Sequence, residues 1–103
     1  MTTTPAEAGH LITAAAAASW TTLVTATAAP DGRTRHYRLQ AANNAYDLST
    51  GAWLCVDWHT TGAGPWTLDH RPPYLMIDGE QVHDPDLPRL TRAMEQFPGQ
   101  PGS

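Results

Sequence analysis

Apolar and polar residues alternate most regularly along Trp53-Leu54-Cys55-Val56-Asp57-Trp58-His59. Read as a strand, this stretch places Leu54, Val56 and Trp58 on one face and Trp53, Cys55, Asp57 and His59 on the other. The first face is expected to be core and the second a candidate surface. A different period governs Leu87, Leu90, Met94 and Phe97, which recur at helical spacing along one stripe. Asp84-Pro85-Asp86 opens that helix, with either aspartate as cap, and Pro98-Gly99 ends it.

The other elements follow from local chemistry. Thr4-Pro5-Ala6-Glu7 reads as a helix start, with Thr4 as N-cap, Pro5 at the first helical position and Glu7 completing a capping box. The helix runs to about Ala18, with a narrow apolar stripe of Ala8, Leu11, Ile12 and Ala15. Trp20 to Ala28 is rich in Thr and Val, which suits a strand. Pro30-Asp31-Gly32 closes a hairpin onto Thr34 to Gln40, in a register expected to set Ala26 against His36 and Val24 against Arg38. Arg33, Arg35 and Tyr37 then share the face of Leu39.

Asn43-Asn44 is a turn, Tyr46 to Leu48 a short strand, and Ser49-Thr50-Gly51 a turn into the Trp53–His59 strand. Gly62 to Pro65 interrupts the chain before a short strand at Trp66 to Leu68. Arg71-Pro72-Pro73 breaks it again. Tyr74 to Ile77, Asp78-Gly79 and Glu80 to Val82 form a two-residue hairpin.

The assembled prediction is an α+β fold in α-β-β-β-β-α order. An antiparallel sheet of four to six strands carries the N-terminal and C-terminal helices on one face. Residues 1–103 make one small domain, with 1–3 and 98–103 as disordered tails. The element order resembles the double-stranded-RNA-binding domain in topology alone. That family's lysines at the start of the second helix have no counterpart in Asp84-Pro85-Asp86, and the chain is not assigned to it.

Composition narrows the function classes. Only 16% of residues are charged, against an average of about 25%, so solubility leans on Thr, Asn, Gln and Ser. The net charge is −4, and all six basic residues are arginine. This balance disfavours nucleic acid and anionic membrane as partners. Residues 1–50 are neutral, so the deficit lies wholly in residues 51–103. The single cysteine excludes an internal disulfide. No apolar run has the length of a membrane span, and the alanines at 14–18 lack the basic flank of a signal peptide. A cytoplasmic location is expected.

Cys55, Asp57 and His59 are residue types that bind zinc or build a Cys/His nucleophile. Their alternate positions are about 7 Å apart per step along a strand, too far to act together unaided. His36, His70 or His83 would have to arrive from elsewhere. Asp69-His70-Arg71 reads as a polar loop surface. Arg33, Arg35, His36 and Arg38 with Tyr37 form a basic-aromatic ribbon able to contact phosphates and bases. Of the four tryptophans, Trp53 and Trp66 are expected to be the more exposed. Phosphate-loop, nucleophile-elbow and H-E-x-x-H patterns are absent from the sequence.

The expectation is therefore a non-enzymatic interaction module without cofactor or metal, binding a protein partner or forming a homodimer. Its surface would comprise Trp53, Asp57, His59, Trp66, Arg35, Tyr37 and Arg38. Nucleic-acid binding by the Arg33–Arg38 hairpin is the alternative. A small enzyme or metal protein built on Cys55 and His59 is the second alternative.

Overall fold

A computed structural model describes residues 5–44, 51–62, 64–69 and 73–99. Helix α1 (Ala6–Ala17) leads into strands β1 (Thr21–Ala28), β2 (Thr34–Ala42), β3 (Ala52–Thr61), β4 (Thr67–Leu68), β5 (Tyr74–Ile77) and β6 (Glu80–Val82), and helix α2 (Leu87–Gln96) ends the fold. All pairings are antiparallel, in the order β1-β2-β3-β5-β6, with β4 also paired to β3. This is the expected α+β fold, with both helices contributing to one core against one face of the sheet. The expected strand at Tyr46 to Leu48 and the Thr4 cap lie outside the described residues.

Strand β3 alternates buried and half-buried positions from Ala52 to Thr60. Leu54, Val56 and Trp58 face the helices and are fully buried, with Leu39 of β2 and Leu75 of β5 beside them. Above them, α1 contributes Ala8, Leu11 and Ala15, and α2 contributes Leu90, Ala93 and Met94. Small residues on α1 let it lie close to its neighbours but bury little area. Long-range hydrogen bonds add to its attachment. The indole N–H of Trp20 donates to the Phe97 carbonyl at 2.8 Å, and the Gly99 amide donates to the Ala18 carbonyl at 2.7 Å.

Two local expectations are corrected. Pro5 occupies the N-cap position rather than the first helical one. Glu7 accepts the indole N–H of Trp58 at 3.3 Å. The β1–β2 register differs by one residue, because a four-residue loop, Pro30 to Arg33, lies inside the Ala29–Thr34 hydrogen bond. Asp31 holds that loop by accepting the Arg33 and Thr34 amides at 2.8 and 2.9 Å. Thr27 therefore faces His36, Thr25 faces Arg38, and Ala26 faces Tyr37.

Asp86 caps α2 by accepting the Arg89 amide at 2.9 Å. Asp78 and Gly79, both at positive φ, form the expected hairpin turn between β5 and β6.

Leu54→Ala is expected to lower the unfolding free energy by about 2–5 kcal/mol. Leu23→Ala, at a site 61% exposed on β1, should change it by roughly 0.5 kcal/mol or less. Urea denaturation of both variants checks the contrast. The Asp31 carboxyl is held below its ordinary range by the backbone amides of Thr34 and then Arg33. Its contribution is present above the unfolded pKa and lost as pH falls through the lower folded one. Asp31→Asn should weaken the acid dependence of hairpin hydrogen exchange.

Candidate functional site

The sheet face opposite the helices is built in rows that follow from the register. Thr27, His36, His59 and Thr67 make the first, and Thr25, Arg38 and Asp57 the second. Leu23, Gln40, Cys55 and Tyr74 make the third, and Thr21, Ala42, Trp53 and Met76 the fourth. Side chains directly opposite one another share a face in an antiparallel sheet. The surface therefore grades from histidine and carboxylate at one end to aromatic and aliphatic at the other.

At the polar end, the Arg38 Nε donates to Asp57 Oδ1 at 2.7 Å and its terminal nitrogen to Oδ2 at 3.4 Å. The pair is partly solvated, with side-chain exposures of 45% and 18%. Such a pair adds about 0–1 kcal/mol to stability, so its main effect here is to fix orientation. The Asp69 amide donates to the Asp57 carbonyl at 3.0 Å, bringing its carboxylate to 3.7 Å from His59 Nδ1. His59 Nε2 lies 3.3 Å from the Thr67 hydroxyl. An open depression of about 450 Å³ is lined here by Thr25, Thr27, His36, Arg38, Asp57 and Asp69, among others.

At the apolar end, the Trp53 and Tyr74 rings pack at 4.9 Å between centroids, tilted by 39°. Leu23, Ala42 and Trp53 border a shallow groove there. Cys55 sits between the two ends, half-buried, opposite Gln40 and Tyr74. Burial pushes its thiol pKa up, the Asp57 charge adds to that, and Arg38 partly opposes it. His59 is four residues further along β3, about 13 Å by strand rise. A thiol raised by burial and far from an imidazole on its own strand is not activated as a nucleophile. Among the described residues no group of three or more His, Cys, Asp or Glu gathers to hold a metal.

The structure divides the expected surface in two. Trp53, Asp57, His59 and Arg38 share the open face. Arg35, Tyr37 and Trp66 lie on the helix side. Tyr37 is 5% exposed and packs edge-on against Trp58 at 6.0 Å and Trp66 at 6.1 Å. The Arg35 guanidinium lies 5.4 Å from the Trp66 ring centroid. Alternation explains this: Thr67 pairs with His59 and Leu68 with Trp58, so Trp66 falls on the Trp58 side. Sequence reasoning missed Leu23, Thr25, Gln40 and Tyr74 as members of the open face, because their place depends on pairings between strands. His70 and Arg71 lie outside the described residues.

No protein family, curated protein or solved structure matches this chain. Among the described residues, no helix is long and apolar enough to cross a membrane.

Alkylation of Cys55 should rise only above the pH range of an ordinary thiol. Asp57→Asn removes the charge that opposes thiolate formation and frees Arg38 to favour it, so the alkylation profile should move to lower pH. Because the folded thiol pKa is raised, its contribution to stability is present at neutral pH and is lost as pH climbs from the unfolded value through the folded one.

Proposed function

We propose that this protein is a non-enzymatic interaction module that holds a protein surface, foreign or its own, against the open face of the sheet. One observation carries the reading. The Trp53–Tyr74 pair and the oriented Arg38–Asp57 pair lie on the same open face, with Gln40 and Cys55 between them. Aromatic anchors beside arginine and fixed polar groups are the composition of binding hot spots. Trp53 is the anchor in this reading, and Asp57 and His59 set specificity.

The nucleic-acid reading loses support from the placement of the arginines. Arg38 is paired with Asp57, and Arg35 lies over Trp66 on the other side of the sheet. Their charge is not gathered along one ribbon. The enzyme reading loses support from the raised Cys55 thiol and its distance along β3 from His59.

The test joins sedimentation equilibrium of the full chain with affinity co-purification, followed by titration of whatever protein is recovered. Binding, to self or partner, is expected to weaken by about tenfold or more in Trp53→Ala. Arg92→Ala, on the exposed side of α2, should leave it unchanged. A chain that stays at 11.1 kDa at every concentration and recovers no partner overturns the reading.

A further inference from the structure

Among the described residues strand β1 is an edge of the sheet, paired with β2 alone. All eight of its residues are exposed. Native sheets blunt such edges with charge, proline, bulges or very short strands. Thr21–Ala28 carries no charge and no proline, and its register with β2 runs without a bulge. The opposite edge, β6, is three residues long and starts at Glu80.

The directions of the β1 backbone groups follow from one hydrogen bond. The Ala29 amide donates to the Thr34 carbonyl at 2.8 Å. Hydrogen-bonded pairs alternate along an antiparallel ladder. Thr21, Leu23, Thr25 and Thr27 therefore turn their backbone groups toward β2. Thr22, Val24, Ala26 and Ala28 turn theirs outward.

We propose that the occupant of this edge is β1 of a second copy, antiparallel about a two-fold axis at Thr25. In that register Val24 bonds to Ala26 of the second copy and Thr22 to Ala28. All four outward-facing residues of each strand are used. Displacing the register by two residues leaves part of each edge unbonded or draws in residues beyond the strand. A two-fold axis normal to the sheet also keeps each face with its like.

The side chains agree with a self-pair. On the open face Thr25 meets Thr25 and Leu23 meets Thr27. On the helix side Val24, 41% exposed, meets Ala26. Threonine and β-branched cross-strand pairs are favourable, and no like charges meet. A charged peptide finds no countercharge on this strand. A neutral strand of equal length fits it, and the chain carries one. The pairing is closed, so it stops at two copies. It goes beyond the reading above by using the edge of β1 rather than the face of the sheet, which separates the two experimentally.

The full chain is followed by sedimentation equilibrium over micromolar concentrations, with the mass expected to move from 11.1 kDa toward twice that value. Val24→Pro removes an amide that points outward and spares the ladder to β2. It should remain monomeric with an unchanged circular dichroism spectrum. Val24→Lys, which retains the amide, should weaken dimerisation by about tenfold or more and covers the case in which proline disturbs the strand. Thr25→Cys in a Cys55→Ser background should form an intermolecular disulfide on mild oxidation, because non-hydrogen-bonded pairs bring Cα atoms to about 4.5 Å. Thr22→Cys should not.

A chain monomeric at every concentration, or a dimer that survives both Val24 variants, overturns the proposal. A dimer lost in Trp53→Ala but kept in both Val24 variants overturns the edge pairing and supports the face reading instead. A monomer that captures a neutral extended peptide along β1 overturns the second copy as occupant.

Discussion

Every part of this fold is referred to strand β3. It pairs with β2 along one side and with β4 and β5 along the other. Its buried residues Leu54, Val56 and Trp58 form the floor on which both helices rest. Because side chains alternate with a period of two, this one strand commits its other residues to the opposite face. The core and the candidate surface are thus two readings of a single alternation. Slipping β3 by one residue would place Asp57 and His59 under the helices and Trp58 in water.

The surface that results is graded rather than uniform. Its polar end is organised by hydrogen bonds that fix the orientation of Asp57, and its apolar end by the Trp53–Tyr74 contact. These two ends suit different tasks. Packed aromatics supply contact area at little entropic cost, while half-solvated ion pairs add directionality more than energy. An activated nucleophile would need Cys55 in an electropositive setting, and it lies instead beside Asp57 in a half-buried site.

Much of the fold was legible because it rests on local chemistry. The β3 alternation, the Asp-capped α2 and the Asp78-Gly79 hairpin each state their conformation within a few residues. What was not legible depends on counts between elements. Whether the first hairpin holds three or four residues at its tip decides which residue of β1 meets Arg38, and Pro30-Asp31-Gly32 admits both. The side taken by Trp66 depends on where Thr67 pairs, which no local pattern around Pro65 states. No local pattern around Glu7 states that its carboxylate accepts from the buried indole of Trp58, fifty-one residues away.

The bonds that tie α1 to the far end of the chain have a consequence for synthesis. As the chain emerges, α1 is complete long before anything can hold it, and its stripe of alanines is too slight for a helix of this length to persist alone. The Trp20 indole finds its acceptor in Phe97, and the Ala18 carbonyl receives the Gly99 amide. The end of α1 is thus secured by the last part of the described fold. Until residue 99 clears the ribosome, the roof of the nascent sheet lacks the bonds that tie the end of α1 to the segment after α2.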